Sequence, residues 1–407
     1  MKSFFGYFHD FARLSIDTLI YAESFFHHKL PFSKKRILIM RKDGLGDCII
    51  FYPTLHAYRE YYNDAEITLI FPTYFESLAP ILGKDLVDRV IWFDHKKFGS
   101  SFLYRRKFLL DLKRDNYDVF IYPVYSRETI GFFMMQMTGA RERIGFEGDI
   151  SEHGKRSERR GTLAFTKLIR PPQGMDLEID RDANFVEQIT SNEVHIFFPS
   201  IDIDILPRKN AEDIISKYKL RDKKYVVVFP GAGASYRIWP TDRFAQIVNY
   251  ILSQNISVII CGSNNEIDLV QRITLSTKEQ SAFKESQTNN LIDLSGKTDL
   301  ATLAHILSGS QFYFGSDTGI LHLAVAVKIP VVAIVGSGGL NRFFPYGDPH
   351  INRAVCDKSQ KYLTGRWVDV QTLKPGEIHP SIVNITTDQV KLEIDQLLKY
   401  LHDNNQN

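Results

Sequence analysis

Cysteine is scarce. Three residues, Cys48, Cys261 and Cys356, lie far apart in a chain of 407. That spacing offers neither a disulfide framework nor a zinc pattern, and it fits a reducing compartment, the cytoplasm. Charge of one sign is also lacking. Lys and Arg (50) nearly balance Asp and Glu (48), for a net charge of +2, which excludes whole-protein attraction to nucleic acid. No uninterrupted apolar run is long enough to span a bilayer, and no small-residue cleavage site follows the N-terminus. What is present is enough apolar material for a large core. Hydrophobic residues make up 44% and charged residues 24%, in a chain whose length favours two domains.

The first thirty residues stand apart. In "MKSFFGYFHDFARLSIDTLIYAESFFHHKL", Phe4, Phe5, Phe8, Ala12, Ile16 and Leu19 fall on one helical face, and Asp10, Arg13 and Asp17 on the other. Two readings stay open: a peripheral membrane contact through residues 4–26, or a helix packed on the body of the protein. A basic run, Lys155, Arg156, Arg159 and Arg160, could add attraction to anionic groups.

From Arg36 onward, strand-like and helix-like segments alternate. Apolar runs at 36–40, 65–71, 87–93 and 117–124 read as strands, and the plan repeats at 224–230, 256–262, 311–317 and 330–336. The stretch 145–183 is less regular and reads mostly as loop. Such alternation implies parallel sheets covered by helices. The expected architecture is therefore α/β, with two facing Rossmann-like, doubly wound domains. The divisions are a helical segment 1–30, a domain 31–207 and a domain 208–407. Ligands in such sheets bind beyond the carboxyl ends of the strands, so two facing domains set both ends against one cleft.

The turns at those strand ends carry the chemistry. In "RKDGLGDCII", a core strand runs through Gly44 and Gly46 into Asp47 and then an apolar helix. A carboxylate in that position needs a reason, because acids are rarely buried without a partner. In "FPGAGASYRIWP", Gly231 and Gly233 let backbone approach a ligand, Ser235 supplies a hydroxyl, and Arg237 a fixed charge suited to phosphate. In "CGSNNE", Glu266 either hydrogen-bonds a ribose or merely complements a helix N-terminus. In "GSDTGILHLAVA", Asp317, Thr318 and Gly319 turn into a helix whose N-terminus suits a diphosphate, with His322 in its first turns. Neither glycine turn completes G-x-G-x-x-G, and the P-loop lysine is absent. Asp202-Ile203-Asp204 has the form of a D-x-D metal motif, but its alternation with isoleucine reads better as an edge strand or linker. No metal site is expected.

These segments, with "LSGKTDLATLAHILSGSQFYFGSDTGILHLAVAVKIPVVAIVG", occur in an order that resembles glycosyltransferase family 9, the ADP-heptose:lipopolysaccharide heptosyltransferases and their relatives. The resemblance runs from about Arg36 to the C-terminal helix. It implies a GT-B fold and an inverting, metal-independent transfer of a sugar, with ADP-heptose the favoured donor and no further cofactor. The acceptor would be a lipid-linked glycan at the inner face of a bacterial membrane. It also implies that Asp47 is the catalytic base, that Asp317 and His322 lie near the donor diphosphate, and that Arg237 replaces a lysine common in the family. Glu266 would bind ribose, and Thr298 and Leu300 would line the adenine pocket. Asp43, Gly44, Arg141 and Arg143 are taken as acceptor-facing. Asp43 departs from the small hydroxyl residues common there, and Gly231–Ala234 lacks the family's frequent Ser or Thr. Two other readings compete: a Rossmann-type oxidoreductase and a non-catalytic sugar-nucleotide-binding protein.

Overall fold

The structure, a computed structural model, describes residues 19–24, 33–148, 164–192, 198–280, 283, 285–363, 367 and 370–404. The apolar runs of the sequence become strands buried on both faces, as parallel sheets require, except Arg89–Phe93 at a sheet edge, which is half-buried. The first sheet has the order β3-β2-β1-β4-β5-β6. Its strands are β1 (Arg36–Met40), β2 (Glu66–Pro72), β3 (Arg89–Phe93), β4 (Val119–Tyr122), β5 (Glu142–Phe146) and β6 (Lys167–Ile169), all paired in parallel. The second sheet comprises β7 (Tyr225–Phe229), β8 (Ser257–Ile260), β9 (Leu291–Asp293), β10 (Tyr313–Ser316), β11 (Val331–Ile334) and β12 (Asn352–Val355). Its order is β12-β11-β10-β7-β8-β9, again wholly parallel. Each half repeats the 3-2-1-4-5-6 winding of dinucleotide-binding domains, with its switch point between the first and fourth strands.

Four strands escape the apolar-run reading: β5, β6, β9 and β12. Three are sheet edges of three or four residues, where polar residues such as Lys167, Asp293 and Arg353 belong. β5 opens on Glu142 and Arg143, which hide its apolar end. The stretch read as loop also contains a helix, Glu178–Thr190, whose buried face includes Glu178, Arg181 and Asp182. Charges at inward positions erase the periodicity that would reveal it. Asp202–Asp204 is linker: Asp202 accepts a hydrogen bond from its own turn at Asp204 N, 3.0 Å, within the 3-10 turn Ile203–Ile205.

The halves interlock. One buried cluster holds Ile39 and Leu69 of the first sheet with Val227 and Ala333 of the second. The helix Leu45–Phe51 packs on the helix Gly319–Ala326 so closely that a Cβ on Gly319 would lie 2.6 Å from Leu45 Cβ and 2.9 Å from Gly46 N. Ala301 N donates to Ser77 Oγ at 3.3 Å, and Ile201 N to the Ala326 carbonyl at 2.8 Å.

Residues 19–24 are helical. Ile20 is buried with Phe98 and Phe108, and Glu23 accepts from Arg106 Nε at 2.8 Å, while Leu19 stays 70% exposed. This part of the N-terminal segment therefore packs on the body and turns Leu19 outward. Phe4, Phe5, Phe8, Ala12 and Ile16, and the basic run at 155–160, lie outside the described residues. No helix among the described residues is long and apolar enough to cross a membrane.

Candidate active site

Gly44 is the N-cap of the helix Leu45–Phe51, with extended backbone. A Cβ there would sit 2.7 Å from Asp47 Oδ2, so only glycine lets the Asp47 carboxylate fold back over the turn. Asp47 occupies the first helical turn, where the N-terminal end of the helix favours a negative charge. It opens onto a cleft of about 330 Å³ between the carboxyl ends of the two sheets. The first half lines this cleft with Arg41, Lys42, Asp43, Asp47, Tyr125, Glu128 and Glu178. The second lines it with Tyr236, Arg237, Arg342, Phe343 and Trp367.

A cation follows β1 directly, ahead of the two acids. Arg41 is 2% exposed, with Nε 3.0 Å from Asp43 Oδ1, Nη2 3.8 Å from Asp47 Oδ1 and Nη1 2.9 Å from Asp182 Oδ1. Burial alone would push its guanidinium down, but Asp182, Asp43, Asp47 and Glu178 hold it well above its ordinary value. Burial, followed by the neighbouring Asp43 charge, pushes Asp47 up to about 7 against the opposing pull of Arg41. A carboxylate at that value is a base matched to neutral pH. Asp43 is raised as well, by burial, with Arg41 pulling the other way. Beside them Lys42 is ion-paired to Glu128. Arg342 crosses from the second half, donating from Nε to Glu178 Oε1 at 3.0 Å and from Nη2 to Ser126 Oγ at 2.9 Å.

On the facing wall, the 3-10 turn Ser235–Arg237 carries Arg237. Its Nη2 donates to the Asp317 carbonyl at 3.1 Å and lies 3.5 Å from Asp317 Oδ2, while the guanidinium stacks 5.2 Å from the Trp367 ring centre. Burial raises the Asp317 carboxyl, opposed by Arg237. Thr318 caps the helix Gly319–Ala326 by accepting from Ile320 N. Gly231 lies under Glu266, since a Cβ there would meet Glu266 Oε1 at 1.6 Å. Glu266 also accepts from Ser263 N at 2.7 Å in a capping box, so this acid caps its helix. Gly233 and Ser235 are exposed at the same mouth. Thr298 precedes the N-cap Asp299, and Leu300 opens the helix Leu300–Ser308 with its side chain against the core.

Some expected residues are not brought together. Arg141 and Arg143 sit at the amino end of β5, the edge away from the cleft, and Arg143 is spent on the Ala140 and Ala164 carbonyls at 2.7 and 2.6 Å. His322 is 3% exposed beneath Gly46, with Nδ1 3.0 Å from the Tyr346 hydroxyl and its ring stacked on that tyrosine. Burial pushes it down to about 3, so it is a neutral packing residue between the halves. Sequence reasoning missed Arg41, Glu178, Asp182, Arg342 and Trp367. Arg41 carried a signal: a cation between the buried apolar end of β1 and the acids Asp43 and Asp47.

Two facing doubly wound domains, with a tuned carboxylate on one wall and an arginine beside a helix N-terminus on the other, define a glycosyltransferase of GT-B architecture. The chain belongs to glycosyltransferase family 9 (heptosyltransferase), whose pattern matches residues 105–363, more than half its length. It is 22% identical over 342 residues to lipopolysaccharide heptosyltransferase 3 of Escherichia coli strain K12, covering 78% of this chain and 91% of that one. It is 23% identical over 326 residues to the lipopolysaccharide core heptosyltransferase OpsX of Haemophilus influenzae, covering 77% and 82%. The fold is shared with the E. coli ADP-heptose lps heptosyltransferase II, at a TM-score of 0.63 and 16% identity over 90% of this chain and 99% of that one. It is shared equally with the family 9 glycosyltransferase of Veillonella parvula, at 0.64 and 19% over 92% and 99%.

Proposed function

We propose that this glycosyltransferase moves heptose from ADP-heptose onto a lipopolysaccharide-core or related lipid-linked glycan, with inversion and without a metal. Residues 31–207 would hold the acceptor and residues 208–407 the donor. The observation that carries the chemistry is Asp47: an acid tuned to about 7 at the mouth of a cleft whose other wall presents Arg237. The acceptor hydroxyl gives its proton to Asp47 Oδ as its oxygen attacks the anomeric carbon. The bond from that carbon to the diphosphate oxygen breaks, and the nucleoside diphosphate leaves with the electron pair. Arg237 and the N-terminus of Gly319–Ala326 receive the developing negative charge. Gly231, Gly233, Ser235, Glu266, Thr298, Leu300, Asp317 and Thr318 would seat the nucleotide. Asp43 and Gly44 would face the acceptor.

The relatives named above carry the heptosyl and lipopolysaccharide assignment, and the balanced charge of this chain agrees with a partner other than nucleic acid. The enzyme would work in the cytoplasm, peripherally at the inner face of the membrane, where a lipid-linked acceptor resides. Calorimetry and mass spectrometry with a panel of nucleotide sugars test the donor. Tight binding and transfer are expected with ADP-heptose. Preference for a uridine or guanosine sugar would overturn the donor assignment while leaving the glycosyltransferase chemistry intact.

A further inference from the structure

Arg41 is the least expected group in the cleft. Its guanidinium is nearly dry and faces three carboxyl groups, all pushed up by burial and pulled down by Arg41. The three acids are not equivalent. Asp43 and Asp47 keep 22% and 25% of their side-chain surface open to the cleft, whereas Asp182 keeps none. A charge that water cannot reach must be matched by its partner at all times. Nη1 of Arg41 is accordingly committed to Asp182 Oδ1, at 2.9 Å, and to the Pro123 carbonyl. The Phe51 ring, 5.3 Å from the guanidinium carbon, closes another side. What remains is the edge that points to the cleft. Nη2 stands 3.8 Å from Asp47 Oδ1, beyond hydrogen-bond reach, so it attracts the carboxylate without occupying its lone pairs.

We propose that Asp182 is a positioning residue for sugar transfer, anchoring Arg41 from behind so that the guanidinium holds Asp47 in place yet leaves its oxygens free to accept the proton. Asp182 sits on the helix Glu178–Thr190 with none of its side chain exposed, so it reaches the cleft acids by contact through Arg41 and at a distance through its own charge. This rests on the reading of Asp47 as the base. The groups facing Asp47 are Arg41 and Asp43 from its own turn, Glu178 from that helix and Arg342 from the opposite half. Cys48 and Tyr74 are the nearby weak acids, and burial pushes both up, so they stay neutral.

Charge sharing gives the two partners opposite signatures. In Asp182→Asn the guanidinium loses its nearest carboxyl partner, which burial pushes up and Arg41 pulls back down, and its attraction falls on the cleft acids. Asp47 should then titrate lower, by about one pH unit or more. In Arg41→Lys the compact ammonium stays with Asp182 and the fork that reaches Asp47 is gone. Asp47 should titrate higher. Carbon-13 NMR of carboxyl-labelled full-length protein, with the Asp47 signal assigned by its loss in Asp47→Asn, reads both shifts without any substrate. Transfer assays on the same proteins should show kcat reduced about tenfold or more in Asp182→Asn, with ADP affinity unchanged and the acid limb of the pH profile moved to lower pH. Asp182→Glu separates anchoring from charge and also serves if Asp182→Asn does not fold: it keeps the carboxylate but displaces the anchor, so kcat should still fall with ADP affinity unchanged, and full kcat in Asp182→Glu overturns the positioning role. An Asp47 titration unmoved in the folded variants overturns the positioning role. Full transfer by Asp47→Asn would instead sink the base assignment, an outcome the titrations cannot imitate.

Discussion

To serve as the proposed base, Asp47 must be ionised to take a proton and must hold that proton once taken. Its raised value has a kinetic consequence of definite sign. Below about 7 the carboxyl is protonated and cannot act as base, so kcat should fall as pH drops through that value. A profile flat from pH 5 to 8 would show that the base is another group. Asp47→Asn should keep ADP binding and lose about 10²–10⁴-fold in kcat. It should not destabilise the fold. Because the folded value lies above the unfolded one, the folded state retains the proton between about 4 and about 7, and stability falls as pH rises through that window. Asparagine removes the unfavourable charge, so a thermal melt at pH 8 should give an equal or higher Tm. On the facing wall, Arg237→Ala should weaken ADP binding by roughly tenfold to a hundredfold, as expected for a charge-assisted hydrogen bond. Arg237→Lys should recover part of it, restoring charge without the fork. Calorimetry with ADP reads both.

At the scale of elements, the critical contact is the crossing of two short helices, Leu45–Phe51 and Gly319–Ala326. Two glycines make it possible. A methyl on Gly46 would meet the His322 ring at 2.5 Å, and one on Gly319 would meet Leu45 and the backbone of Gly46. Backbone cannot step aside as a flexible side chain can, so Gly319→Ala should be the more damaging, at about 1–3 kcal/mol of overpacking. The same contact seats the Asp47-bearing helix on the second half. Gly319→Ala should therefore lower both Tm and kcat, measured by calorimetric melting and transfer assay. Loss of one without the other would separate packing from alignment.

For the whole molecule, the cleft lies between halves held by this helix crossing and by the reach of Arg342 to Glu178 and Ser126. Facing domains of this kind commonly open and close by hinge motion. Arg342→Ala removes a bridge at the cleft wall and should shift the population toward open forms. Small-angle scattering should show a larger radius of gyration, and ADP should restore less of the compact state than in wild type. If the N-terminal segment is a peripheral membrane contact, removal of residues 1–18 should reduce binding to anionic vesicles, since each large apolar side chain buried in lipid contributes about 1.5–3 kcal/mol. Co-sedimentation at rising salt separates the contributions, because attraction by a basic segment fades with screening and apolar insertion does not. Vesicle binding unchanged by the truncation would remove the membrane role of the segment.

The sequence by itself determined the two repeated halves and the turns that matter. Strands buried on both faces must be apolar throughout, and β1, β2, β4, β7, β8, β10 and β11 therefore show as runs within a residue or two of their places. Glycines at the strand ends marked where backbone and acids come close, which located Asp47 and Arg237 on the two walls of the cleft. Edge strands and the helix Glu178–Thr190 stayed hidden because short edges are polar and because that helix turns charges inward. Tertiary structure alone decided the electrostatics. Arg41 and Asp182 are 141 residues apart in sequence and 2.9 Å apart in space, and neither shows its partner in its own neighbourhood. It also decided that His322 lies sealed between the halves and that Arg143 is occupied at the far end of β5. The raised value of Asp47 depends on distances and water exclusion, quantities that come into being only when both halves close on the cleft.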